Sequence, residues 1–403
     1  MKKNKIHYAW IILILCCAIQ AGTQGAIHDT KGVFTSPVCS ELGFDIGDFS
    51  LALTFGALSM LIAQPFTSFF YKKFGMKKVL IVSAIIYYVT HYALAFGNHL
   101  ITWYILMVIH EISSCFFYKT SYTILLCNWF VSKTAYALGI ATAVGSISGM
   151  LLNPIYTGII TNLGWRAGYK ISALIGTLLT LPAIILLFKE SPKQENTEPY
   201  IDGTVEKKSE YFPCKFDEQK APIISIMIIA ASSVAYLCGG YYLHLPNYAT
   251  STKMDPSVGS LLTSAELAGI MAMKFILGPI LDKIGIMKTE LLMAALSIFG
   301  YTAYFFFGGV ALLATTTLCG IFCATNTVLL PLFAREKIGE ANFIKILPIM
   351  TTIGSAISSL SNTLYGYIFD NFGNYNLMFI ICIAGILLSY TTIVIVNKQK
   401  EDM

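Results

Sequence analysis

The chain has 403 residues, 56 % hydrophobic and only 12 % charged, against a charged share of roughly 25 % in soluble domains. A soluble fold of this length needs far more polar surface, and disorder, coiled coil and collagen-like repeats are excluded by the same figures. The formal net charge of +5 comes from short Lys and Arg clusters between apolar runs, so it reads as a topology signal and not as a nucleic-acid surface.

Twelve apolar segments follow one another, each long enough to be a membrane helix of about 20 residues. They cover residues 8–27, 49–70, 79–96, 101–130, 135–161 and 171–188, then 222–248, 258–281, 291–309, 311–333, 343–369 and 377–396. None alternates with period two, which argues for helices and against a barrel. The basic start MKKNK before the first run reads as the flank of a retained helix. With the N-terminus inside, only Lys31, Arg166, Lys170 and Lys253 fall outside, and Lys119 and Lys274 lie within spans. The rest of the 27 cations are inside, which puts both termini in the cytoplasm.

Residues 189–220 are polar, rich in Glu and Lys, and hold Pro192, Pro199 and Pro213. They read as a cytoplasmic linker, 189–221, joining a six-helix half at 1–188 to another at 222–403. The halves repeat at a nearly constant offset. Asp45, Ser50 and Leu51 match Asp255, Ser260 and Leu261; Gly75 matches Gly285; Asn162 and Gly164 match Asn371 and Gly373. Parallel six-helix repeats are a transporter architecture, with substrate bound between the halves near the midplane. The fold expected is therefore an all-α membrane protein of twelve transmembrane helices in two pseudo-repeats.

Ten cysteines are present without any C-x-x-C, so neither a zinc site nor a redox pair is predicted, and most read as small buried hydrophobes. His110 and Glu111 on helix 4 have the spacing that begins a zinc-protease motif. Position 114 is Ser, so the second ligand is missing and a metalloprotease is excluded. No nucleophile–base constellation appears, and no catalytic residue, metal or cofactor is predicted.

Charge inside the membrane points to function, because a lone charge at depth costs roughly 2.5–3.5 kcal/mol on insertion scales. Lys274 lies mid-span on helix 8, and a compact ammonium suits a carboxylate. Glu266 is eight residues earlier, about 12 Å of rise, so both can line one wall. Glu266, Glu111 and His110 are the candidate proton-coupling groups, the two glutamates being the acids read within spans. Tyr118 shares a face with Glu111. Tyr118, Gln24, Tyr236 and Tyr241 are candidate lining for the substrate, while Lys119 has the option of snorkelling to the cytoplasm. Gly145 and Gly149 form a G-x-x-x-G on helix 5, and helix 11 carries Gly354, Ser355, Ser358, Ser359 and Ser361. These small faces would let the halves rock.

The loop after helix 8 resembles the major facilitator superfamily motif G-x-x-x-D-[RK]-x-G-x-[RK]-[RK]: Gly278, Asp282, Lys283, Gly285 and Lys288 match, and Ile286 and Met287 depart. In the first copy Ser68 and Lys72 replace the glycine and the aspartate, while Lys73, Gly75, Lys77 and Lys78 remain. The resemblance implies that the Asp and basic residues latch helix ends in one conformation. Within the superfamily the chain is similar to the monocarboxylate and oxalate–formate carrier branch. Tyr8–Trp10, Gly22, Gly25 and Gly32-Val33-Phe34 carry that likeness, with Asn128-Trp129-Phe130, Lys133, Ala137-Leu138-Gly139, Gly164-Trp165-Arg166 and His244-Leu245-Pro246. It implies a substrate carboxylate at Lys274. Oxalate carriers add a Lys on helix 11, where this chain has Ile353, so a single carboxylate fits better than a dicarboxylate.

The function expected is secondary active transport of a small organic anion, a monocarboxylate, by proton symport or anion exchange. The protein would act as a monomer in the cell membrane, with protons and lipid as its other partners. Alternatives are efflux of a larger amphipathic compound and a non-transporting sensor of the same fold.

Overall fold

The computed structural model describes residues 7–195, 197–201 and 221–401. The N-terminal lysines at 2, 3 and 5 and linker residues 202–220 lie outside the described residues. The fold is helical, and the one β-bridge recorded among the described residues joins Phe130 to Tyr200. Contacts divide the chain into two compact units, Met1–Phe44 with Leu51–Ser209, and Asp45–Ser50 with Glu210–Met403.

Unit 1 begins with α1 (Tyr8–Gln20), whose start is capped by the His7 side chain. After a widened π-helical stretch, Ala21–His28, the run resumes as α2 (Gly32–Leu42). Then come α3 (Ile46–Ala63), α4 (Thr67–Phe74) and α5 (Met76–Leu94), with Gly75 turning the corner between α4 and α5 at φ 82°, ψ 135°. The next run is α6 (Leu100–Ser114), a π-helical Cys115–Lys119, and α7 (Ser121–Trp129). The unit closes with α8 (Thr134–Leu163) and α9 (Trp165–Leu187), split by Gly164 at φ 80°. Such φ values favour glycine, which has no Cβ to clash.

Unit 2 contains α10 (Ala221–Ala235), two short 3-10 turns Tyr236–Gly239 and Tyr241–His244, and α11 (Leu245–Ser251). The run α12 (Pro256–Ala303) breaks at Gly285 (φ 76°), and α13 (Leu312–Phe372) breaks at Gly339 (φ 72°). The chain ends with α14 (Asn376–Glu401). Gly75 and Gly285, partners in the predicted repeat, thus both make left-handed corners. Asp255 caps α12 ahead of Pro256, and the Ser257 hydroxyl and amide hold its carboxyl below the usual carboxylate range. The first turn of α3 belongs to unit 2. Asp370 accepts from the amides of Ile46 at 3.0 Å and Gly47 at 2.6 Å. Tyr367 donates to Asp48 at 2.8 Å.

Among the described residues, 8 helical runs are long and apolar enough to cross a bilayer. The predicted segments 79–96, 258–281, 291–309 and 343–369 fall on α5, α12 and α13 and are not among those runs. One boundary is corrected. The first span does not stop at residue 27 but continues as one helical run, Tyr8–Leu42.

Candidate functional site

The first helix breaks where its sequence is smallest, at Ala21-Gly22-Thr23-Gln24-Gly25. Close packing holds the break. A Cβ on Gly25 would lie 2.4 Å from Ser148 Cβ and 2.6 Å from the Gly145 carbonyl of α8. One on Gly22 would lie 3.0 Å from the Gly176 carbonyl of α9. The G-x-x-x-G of α8 therefore seats the broken helix of its own unit. Thr23 and Thr30 donate to the carbonyls of Ile19 and Ala26, taking up acceptors that the wider turns free.

The break brings four polar residues against a second π-helical stretch, Cys115–Lys119. Tyr118 donates to the Gln24 carbonyl oxygen, and Gln24 donates to Asp29 Oδ1 at 2.5 Å. Lys31 donates to Glu111 Oε1 at 2.5 Å and to His28 Nδ1 at 3.2 Å. His28 Nδ1 is itself 3.9 Å from that carboxylate, and Ser114 donates to its other oxygen at 3.2 Å. Asn153 of α8 donates to the Asp29 carbonyl at 3.2 Å. Asp29 and Glu111 are each 2 % exposed. Glu111 thus meets the Lys31 ammonium in a buried space, where an uncompensated charge is costly. A proton on Glu111, or an exchange of its ionic partner, changes that balance.

Unit 2 carries the counterpart. Its first helix breaks at Tyr236–Gly239 and Tyr241–His244, seated on α13: a Cβ on Gly239 would lie 2.3 Å from Ser358 Oγ, and one on Gly240 2.5 Å from Ser361 Oγ. Tyr241 donates to Glu266 Oε2, and the Cys323 thiol lies 3.8 Å from Oε1. Glu266 and Tyr241 are both fully buried. His244 donates from Nε2 to the Asn362 carbonyl at 2.8 Å and accepts from Tyr375 at 3.2 Å.

Within each unit the predicted site residues are placed as follows. In unit 1 Gln24 bonds to Tyr118, and Glu111 lies beside them. His110 points elsewhere, its Nδ1 3.0 Å from the Tyr87 carbonyl. In unit 2 Tyr241 bonds to Glu266, and the Tyr236 ring packs over Gly354. Lys274 is exposed on α12, within electrostatic reach of Cys323. The Lys119 side chain lies outside the described residues. Of the motif residues, Gly285 makes the corner, Gly278, Asp282, Lys283 and Lys288 are exposed, and Asp282 has no ion pair among the described residues. The small faces on α8 and α13 receive the broken helices within each unit.

Two sequence expectations are corrected. Glu111 and Glu266 are not the only acids in the helical interior: Asp29 and Glu290 are each 2 % exposed. Lys31, read as an outer-loop cation, is the ion-pair partner of Glu111. Ending the span at Ile27 leaves His28, Asp29 and Lys31 in a loop and hides them. The available signal was the apolar run resuming at Gly32-Val33-Phe34, since a short polar island between apolar runs is equally the signature of a broken helix.

The family model described as Major Facilitator Superfamily matches residues 13–344. Two Bacillus subtilis (strain 168) proteins are similar. "Uncharacterized MFS-type transporter YcxA" is 21 % identical over 45 % of this chain and 45 % of its own length. "Multidrug resistance protein 2" is 20 % identical over 57 % and 56 %. The chain spans about half the length of the curated relatives it matches. Among solved structures, the nucleoside transporter NupG aligns with TM-score 0.70 at 12 % identity, covering 96 % of this chain and 99 % of that one. The peptide transporter POT in complex with sulfate aligns with TM-score 0.72 at 13 % identity, covering 99 % and 96 %. At those identities the likeness is one of fold.

Proposed function

The chain belongs to the Major Facilitator Superfamily, and from that premise we propose that it is a secondary active transporter of a small organic anion, a monocarboxylate, moved by proton symport or anion exchange. The reading comprises twelve membrane crossings in two six-helix halves, 1–188 and 222–403, joined by 189–221. Both termini are cytoplasmic, and a monomer works in the cell membrane. The observation that carries it is the buried cluster of Lys31, Glu111, Asp29 and His28 around the broken first helix. A proton taken up by Glu111 would free Lys31 from its ion pair, and that exchange supports the proton-coupled reading.

Lys274 binds the substrate carboxylate, with Gln24, Tyr118, Tyr236 and Tyr241 as neutral lining. Glu266 and Glu111 carry coupling protons. Gly278, Asp282, Lys283, Gly285 and Lys288 latch helix ends in one state of the cycle. The likeness to a multidrug resistance protein supports a second reading, efflux of a larger amphipathic compound. Uptake of a panel of labelled monocarboxylates into proteoliposomes, with and without an inward proton gradient, separates the two. Gradient-driven accumulation of at least one small carboxylate is expected. Transport of lipophilic dyes with no carboxylate accumulation would establish the second reading instead.

A further inference from the structure

Beside the ion cluster, unit 1 buries two imidazoles and a phenol whose hydrogen bonds do not close. His91 and Tyr87 on α5 and His110 on α6 are 3 %, 0 % and 0 % exposed. The His110 ring lies 3.9 Å from Tyr87 at 18°, and the His91 ring lies 5.3 Å from His110 at 34°. Neighbours fix both tautomers. His110 Nδ1 faces the Tyr87 carbonyl at 3.0 Å, which only accepts, so Nδ1 carries the hydrogen and Nε2 is a lone-pair acceptor. His91 Nε2 is 2.9 Å from Ser172 Oγ, whose own hydrogen goes to the Tyr169 carbonyl at 3.0 Å. His91 therefore donates from Nε2, and its Nδ1 is the acceptor.

His91 Nδ1, His110 Nε2 and the Tyr87 hydroxyl have no hydrogen-bond partner among the described residues. Two acceptors and one O–H donor match a single water molecule, which donates twice and accepts. Buried waters typically make about three such bonds. We infer that His91, His110 and Tyr87 hold one water molecule, and that a proton passes between the two imidazoles through this water. The step balances: His91, protonated at Nδ1, gives that proton to the water, and the water gives one of its own hydrogens to His110 Nε2. His91 returns to neutral, His110 becomes the imidazolium, and the water keeps two hydrogens.

The pair borders the ion cluster. His110 directly precedes Glu111, and the Tyr87 ring also stacks on His28 at 6.2 Å and 27°. The charged and titratable groups within reach of the pair are Glu111 on α6, Lys31 and His28 beside the first-helix break, and Tyr87, Tyr88, Tyr118 and Tyr169.

The relay deepens the proton-coupled reading, and its test needs no substrate. Protein labelled with 15N-histidine is placed in lipid nanodiscs, and His91 and His110 are assigned from His91→Gln and His110→Gln. The expected spectrum has opposite tautomers for the two rings and magnetisation transfer from water to both lone-pair nitrogens. Proton exchange at His110 is expected to slow severalfold in His91→Gln. Tyr87→Phe keeps the ring stack, removes one water partner, and should weaken the water signal at both histidines, so it decides the matter even if His91→Gln does not fold. Matching tautomers, an absent water signal, or unchanged His110 exchange overturns the inference. Labelled lactate uptake in proteoliposomes is measured in parallel. A wild type that accumulates no lactate counts against the anion reading and leaves the exchange result standing.

Discussion

Lys31 and Glu111 illustrate how a single pair decides what a mutation can report. The two are bonded at 2.5 Å with side chains 13 % and 3 % exposed. Removing one member of a buried pair strands the other charge, at a cost of roughly 3–5 kcal/mol, whereas removing both costs far less. Glu111→Gln and Lys31→Met are each expected to lower the thermal unfolding temperature and monodisperse yield, and the double variant should recover most of both. A Glu111→Gln protein as stable as wild type contradicts this weighting. Glu266 gives a cleaner probe of coupling, since its direct partners are the Tyr241 hydroxyl and the Cys323 thiol. Glu266→Gln should fold, lose pH-driven accumulation and keep counterflow exchange. Accumulation at the wild-type level would remove Glu266 from the coupling route. Lys274→Ala should weaken anion affinity by a factor of about 10 to 150, the loss of a charge-assisted contact of roughly 1.5–3 kcal/mol. Lys274→Arg should retain part of it. Unchanged affinity in the alanine variant rejects the binding role.

At the scale of helices, the broken elements rest on glycines, and the neighbours of those glycines predict which ones matter. A Cβ at Gly25 meets the Ser148 side chain and the Gly145 backbone within 2.6 Å, and backbone cannot move aside cheaply. Gly139 and Gly158 on α8 meet nothing within 4 Å. Gly25→Ala should therefore lower the melting temperature and disturb the ion cluster. Gly139→Ala and Gly158→Ala should be neutral or more stable by about 0.5–1 kcal/mol, the usual gain from replacing a mid-helix glycine. Equal melting temperatures for all three, read by intrinsic fluorescence, would sink the account. Helix positions and the Gly75 and Gly285 corners were legible from apolar runs and the internal repeat. The break in the first helix was not, because hydropathy averages over about 20 residues and cannot separate a helix end from a π-turn inside one. The pairing of Lys31 with Glu111 was hidden for a related reason: no periodicity connects residues 80 apart in sequence.

For the whole molecule, the direction of insertion is the property on which every functional assignment depends. The distribution of Lys and Arg predicts cytoplasmic termini and a cytoplasmic 189–221 segment, since positive loops resist translocation. Cysteine labelling in intact cells tests it, and the structure chooses the reporter. Ser257 is unsuitable for the outer side, because its amide and hydroxyl both serve Asp255 at the start of α12. Ser251, exposed at the end of α11, makes a local bond to the Tyr248 carbonyl and no other side-chain bond among the described residues, so it tolerates a thiol. The background must lack native thiols, above all the exposed Cys127. Ser251→Cys should react with an impermeant maleimide from outside. Ser209→Cys, in the segment read as cytoplasmic, should react only after permeabilisation. If position 209 is labelled in intact cells, the orientation is reversed. The cluster of Lys31 and Glu111 would then sit nearer the cytoplasmic surface, and an inward proton gradient would reach it from the opposite side.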